Sequence, residues 1–197
     1  MNKEEIIQFE RDVAAAFDAG KIRSPIHISG GNEDALIAIF DNIAEDDWVF
    51  STHRSHYHAL LHGVPRDKVM AEILAGHSMN LNFPEHSFYT SAIVGGNLSI
   101  ALGVAAGIKR RGGAEIVWCF VGDMAATMGI FHECIKFAEG HALPISFVIE
   151  DNGMATNTNT IDAWGKQFPL LDGVFHYHYQ RTYPHTGTGS GKRVEFK

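Results

Sequence analysis

Apolar residues in the first third of the chain recur at helical spacing. Ile6, Phe9, Val13 and Phe17 make one stripe along residues 3–19, and Gly20 ends it. The stretch Ser24-Pro25-Ile26-His27-Ile28-Ser29-Gly30-Gly31 has no period and reads as a loop. Asn32 is placed to cap a second helix, expected over 33–45 and carrying Leu36, Ile37, Phe40 and Ile43. Trp48-Val49-Phe50-Ser51 reads as a short buried strand, and His53-Arg54-Ser55-His56 opens a turn or helix. Pro65 starts another short helix with Val69, Met70, Ile73 and Leu74 on its apolar side. Residues 76–92 show no period and read as an ordered loop; Gly95-Gly96 to Lys109 reads as an Ala- and Gly-rich apolar helix.

The second half is more regular. Ile116 to Val121 is a continuous apolar run, the pattern of a strand buried on both faces, with Gly122-Asp123 at its end. A helix is expected from about Ala125 to Glu139, and a second buried strand from Pro144 to Ile149, running into Glu150-Asp151-Asn152-Gly153. Strand, helix and strand make a right-handed βαβ unit with parallel strands. The fold class expected is therefore α/β, a mostly parallel sheet with helices on both faces. Val174 to Tyr179 alternates like an edge strand, and Gly187, Gly189 and Gly191 follow His185 in a flexible end. The expected organisation is one domain over 1–160 and a short C-terminal extension over 161–197.

Composition narrows the function. With 45% apolar and 20% charged residues, the 197-residue chain can bury a core. A net charge of −7 without a basic run argues against a nucleic-acid partner. No apolar run approaches the ~18 residues of a membrane span, and the polar start lacks the apolar stretch of a signal peptide. Only Cys119 and Cys134 are present, which excludes a disulfide framework and points to a reducing cytoplasm.

In an open parallel sheet, ligands bind outside the carboxyl ends of the strands. Asp123 and Asn152 end the two strands of the βαβ unit and should both project there. A carboxylate and an amide carbonyl are hard oxygen donors, suited to Mg²⁺ or Ca²⁺. The helix that starts beside Asp123 offers free N–H groups to an anion, and Gly122 lets its backbone come close. A divalent ion beside a helix N-terminus is equipment for a diphosphate.

Those residues carry a resemblance. Gly122-Asp123-Met124 through Glu150-Asp151-Asn152 resembles the thiamin-diphosphate motif, Gly-Asp-Gly, a helix-length spacer, then Asn-Asn. The closer likeness is to the α subunit of the 2-oxo acid dehydrogenase first component, of the pyruvate, branched-chain and acetoin types. Four further segments agree, in order, over roughly residues 20–158. They are Ile22 to His27, His53-Arg54-Ser55-His56, Ala92-Ile93-Val94-Gly95-Gly96 and Gly129-Ile130-Phe131-His132-Glu133.

The resemblance implies thiamin diphosphate and Mg²⁺ as cofactors. Asp123, Asn152 and the carbonyl of Met154 would ligate the metal. Gly122, Met124, Ala125, Arg54 and His53 would face the diphosphate, and Val94 or Ile93 would support the bent cofactor. His27 and His56 would lie on the substrate side as catalytic residues, and His185-Thr186 stands where the family's late His-Ser touches diphosphate.

The implied activity is decarboxylation and acyl transfer from a 2-oxo acid. The implied partner is a β-type subunit whose pyrimidine-binding domain supplies the activating Glu, in a heterotetramer; Glu133 and Glu150 lie in or beside the diphosphate motif. Two other readings stay open: half of a split transketolase-like enzyme passing a two-carbon unit to an aldehyde, and a scaffold subunit that has lost the cofactor.

This chain departs from the pattern in three ways. Met124 replaces the third Gly, Asp151 replaces the first Asn and adds a charge near the diphosphate, and the family's last subdomain is expected to be absent or reduced to residues 160–197. His176 and His178 share one face of the late strand and could bind a metal, but no third ligand is evident in the sequence, so they read as part of an aromatic strand.

Overall fold

The computed structural model describes residues 1–156, 158–166 and 171–188. Helix α1 spans Lys3–Asp18 and begins with a capping box. The Asn2 side chain accepts from the Glu5 N–H, and the Glu5 side chain accepts from the Asn2 N–H. Helix α2 is Glu33–Phe40, shorter than the expected 33–45. It ends early because Asn42 Nδ2 donates to the Ala38 carbonyl at 2.8 Å, a side chain competing for a helix acceptor. Asn32 precedes α2 but makes no side-chain cap.

Strand β1 is Trp48–Ser51, followed by α3, His56–Leu61, and α4, Arg66–Leu74. The stretch expected to be all loop holds a short 3₁₀ turn, Pro84–His86, and strand β2, Phe88–Thr90. Three residues are too few to show a period of two. Helix α5 is Gly96–Arg111, and β3 is Val117–Gly122.

The motif helix is broken into α6, Asp123–Ala126, and α7, Gly129–Gly140. The break is local: the Thr127 hydroxyl donates to the Met124 carbonyl at 2.7 Å, and Met128 is extended. Strand β4 is Ile145–Asp151. A small antiparallel pair follows, β5 (Met154–Ala155) and β6 (Thr158–Asn159), then α8, Thr160–Trp164, and β7, Phe175–His178.

Five strands form one parallel sheet in the order β2-β1-β3-β4-β7. Alternation along β3 divides two cores. Trp118 and Phe120 face one side with Phe9 of α1, Leu36 of α2, Tyr57 of α3 and Val69 of α4. Cys119 and Val121 face the other with Leu98 and Ala101 of α5 and Phe131 of α7. Helices thus cover both faces, as expected. The late alternating stretch is an edge strand, with Glu150 opposite Tyr177 and Asp151 opposite His178. The glycine-rich end beyond Thr188 lies outside the described residues. Among the described residues no helix is long and apolar enough to cross a membrane.

Candidate functional site

A cleft of about 470 Å³ opens at the carboxyl ends of β1, β3 and β4. One wall comes from the two strand ends of the βαβ unit. Asp123 Oδ2 and Asn152 Oδ1 each accept from the Met154 N–H, both at 3.1 Å, so the two oxygens converge on one point. Asp123 Oδ1 accepts from the Met124 N–H at 2.7 Å, and Asn152 Nδ2 donates to Tyr179 Oη at 2.9 Å. Burial, with the charge of Asp151 nearby, raises the Asp123 pKa. A buried carboxylate penalised in this way gains from a cation. Two hard oxygens in hand and a third, the Met154 carbonyl, on the residue they grip suit a divalent ion such as Mg²⁺.

The facing wall is cationic or imidazole. It carries Arg54, His53 and His27, with Arg181 and His185 from the chain that follows β7. Arg54 donates to the Ile28 carbonyl, which ties its guanidinium to the opening loop. The rings of His27 and His53 pack edge-on, centroids 4.4 Å apart. Burial, reinforced by His53 and Arg54, pushes the His27 pKa down to about 3. Burial with Arg54 and Arg181 does the same to His185, again to about 3. Both imidazoles are neutral at physiological pH, so Arg54 and Arg181 carry the positive charge on this wall.

Gly31 explains how the late segment reaches the cleft. Its φ is +102°, and a Cβ there would collide with the Gln180 carbonyl. Thr182 N–H donates to the Gly30 carbonyl at 3.1 Å. Only glycine lets the two stretches pass this closely.

The structure therefore brings Gly122, Asp123, Met124, Ala125, Asn152, Met154, Arg54, His53, His27, Ile93, Val94 and His185 around one cleft. Ile93 and Val94 stand on its rim, 75% and 56% exposed. Met124 turns its sulfur to Trp164 of α8, whose Nε1 donates to it at 2.9 Å.

His56 is the exception, and the expectation of a substrate-side role is corrected. It is fully buried, with Nδ1 2.8 Å from Glu10 Oε2 and Nε2 2.9 Å from Ser78 Oγ. No ring nitrogen is left to reach the cleft.

Tyr179 and Arg181 were missed. Their signal was the alternation of β7, which sets Tyr177 and Tyr179 on the face opposite His176 and His178; what the sequence lacked was the strand they pair with. Beneath the cleft, Glu150 accepts from Tyr177 Oη at 2.5 Å and Asn32 Nδ2 at 3.2 Å, with His58 Nε2 3.4 Å away. Burial works to raise its pKa, but His58, Tyr177 and Arg54 outweigh that and hold it low. Asp151 points away from the cleft into His176 and His178. The charge that replaces the family's Asn is thus met by two imidazoles, and it also lies close enough to Asp123 to raise that carboxyl's pKa.

Residues 1–167 match the dehydrogenase E1 component family. The chain belongs to that family. It is 32% identical over 164 residues to the α subunit of acetoin:2,6-dichlorophenolindophenol oxidoreductase from Bacillus subtilis (strain 168), covering 78% of this chain and 49% of the relative. It is also 32% identical to the pyruvate dehydrogenase E1 component subunit alpha of Porphyra purpurea, covering 75% and 48%. Among solved structures, one described as a 'putative thiamin diphosphate-dependent enzyme' isolated from Mycobacterium smegmatis matches 76% of this chain and 26% of its own. Its TM-score is 0.47 at 24% identity, a likeness too partial to bear on function. This E1-family chain spans about half the length of the curated relatives it matches.

Proposed function

We propose that this chain is the diphosphate-binding, α-type subunit of a thiamin-diphosphate-dependent enzyme that decarboxylates a 2-oxo acid and passes on the acyl group. The observation that carries the reading is the convergence of Asp123 Oδ2 and Asn152 Oδ1 on Met154, across a cleft from Arg54 and Arg181. Asp123, Asn152 and the Met154 carbonyl would hold Mg²⁺. Arg54 would pair with diphosphate oxygens, its planar fork matching their geometry. Thiamin diphosphate supplies, when bound, a thiazolium able to stabilise the carbanion left by decarboxylation.

The chain's own residues bind and orient. Ile93 and Val94 offer an apolar rim for the rings, and His185 adds a neutral hydrogen-bonding group near the diphosphate. His27, also neutral, offers a hydrogen bond on the substrate side without adding charge. The exposed rim supports a second requirement: a β-type partner, with a pyrimidine-binding domain that brings the activating Glu, would cover it in a heterotetramer. Free, buried Cys119 and Cys134 fit a cytoplasmic setting.

Two features that spoke for a scaffold subunit weigh less in the folded chain. The charge of Asp151 is met by two imidazoles, and the Met124 side chain is engaged by Trp164. Calorimetry with thiamin diphosphate and Mg²⁺ tests the binding half of the proposal; heat that appears only with both present is expected. Assays of CO₂ release test the rest: no turnover by the chain alone, and turnover on mixing with a pyrimidine-domain subunit. Turnover without a partner, or no cofactor binding, would overturn it.

A further inference from the structure

On the face of β4 and β7 turned away from Glu150, the parallel register sets Asp151 directly opposite His178, and His176 lies two residues earlier on the same side. Three donor atoms meet there. His176 Nε2 is 3.0 Å and His178 Nδ1 3.1 Å from Asp151 Oδ2, and all three ligand atoms lie within 4.8 Å of one another. We propose that Asp151, His176 and His178 form a second metal site, for a borderline divalent ion of the Zn²⁺ type, beside the Mg²⁺ position at Asp123 and Asn152.

The donor set selects the ion. Two imidazoles and one carboxylate suit Zn²⁺ and its neighbours, whereas Mg²⁺ prefers oxygen alone. The spacing suits it as well: with bonds of about 2.0–2.1 Å, two tetrahedral ligands stand about 3.3 Å apart, a few tenths of an ångström beyond the separations seen. Asp151 is fixed for the task by the Gly153 N–H, which donates to Oδ1 at 2.9 Å and leaves Oδ2 to the imidazoles.

Access comes from a second cavity of about 470 Å³, lined by Asp151 and the half-exposed His178 and bordered by Asp123 and Asn152. It leaves room for a water as fourth ligand, the open arrangement of three-ligand zinc sites. On binding, the metal takes the place between Asp151 Oδ2 and the two facing ring nitrogens, and each neutral imidazole keeps its single N–H on the other ring nitrogen. The ion would fasten β7 to the loop that carries Asn152 and Met154.

The test uses the full chain, stripped with a chelator and titrated with Zn²⁺ by calorimetry in excess Mg²⁺ and without thiamin diphosphate, so that it stands or falls apart from the proposed function. One equivalent should bind. His178→Ala, at a half-exposed position the fold tolerates, and Asp151→Asn should each weaken it by at least on the order of 100-fold, more than loss of an outer-shell partner gives. Co²⁺ in place of Zn²⁺ should show the visible bands of a tetrahedral site in the parent chain and lose them in His178→Ala. If Asp151→Asn does not fold, His178→Ala decides. Absence of a stoichiometric equivalent, or one that His178→Ala leaves intact, overturns the proposal.

Discussion

Glu10 of α1 and His56 of α3 sit with Oε2 and Nδ1 2.8 Å apart, and neither side chain is exposed to solvent. Glu10 also accepts from the Ser29 N–H at 2.8 Å, so one carboxylate ties α1, α3 and the opening loop together. His56→Ala removes a partner from a buried carboxylate, a loss that costs about 3–5 kcal/mol. Urea unfolding should show that drop, while the folded fraction keeps near-parent affinity for thiamin diphosphate. Parent-like stability would contradict the buried pair.

The converging oxygens make the metal assignment testable. Asp123→Ala removes the charged donor and should abolish Mg²⁺-dependent binding of thiamin diphosphate. Asn152→Ala removes a neutral one and should cost about 1.5–3 kcal/mol, the range for an interaction with a charge. Calorimetry at fixed Mg²⁺ measures both, and unchanged affinity in the pair would remove these residues from the site.

Met124 sends its sulfur to Trp164 Nε1, 2.9 Å away. Met124→Gly should therefore leave cofactor affinity nearly unchanged and lower stability by about 0.5–1 kcal/mol, the cost of glycine in a helix. A gain of about 100-fold in affinity, some 2.7 kcal/mol, would instead show that the side chain obstructs the diphosphate.

The depressed imidazoles give a pH dependence of definite sign. His27 titrates near 3 in the folded chain against 6.5 ordinarily. Below about pH 6.5 the unfolded chain takes up a proton that the folded chain refuses, so this contribution is full above that pH and is lost as pH falls towards 3. His27→Gln removes it. Thermal melts at about pH 7 and about pH 5 should show a smaller drop in Tm for the variant than for the parent; equal drops would mean that His27 is charged in the fold.

Much of the sheet was legible because its strands are buried on both faces and read as apolar runs; Ile116 to Val121 and Pro144 to Ile149 located β3 and β4 to within about two residues. Asp123 and Asn152 were legible for the same reason, since a strand end fixes where its last side chain points. What failed depends on contacts remote in sequence. His56 looked like a cleft residue because its neighbours are; Glu10, which claims it, lies 46 residues earlier. His176 and His178 showed their shared face but not their third partner, which comes from a neighbouring strand whose register only the fold supplies.

Gly31 passing against Gln180 has a consequence for the order of assembly. Arg181 and His185 reach one wall of the cleft from the chain that follows β7, so that wall is incomplete until β7 has docked, and β7 is held from one side only. The two cores on either side of β3 can form without it. The cleft is then expected to be completed late on folding and to come apart early in sub-global opening. A ligand bridging Asn152 and Arg54 would act as a clasp on that event, and amide hydrogen exchange in Phe175–His178 should then slow on binding far more than exchange in Val117–Gly122.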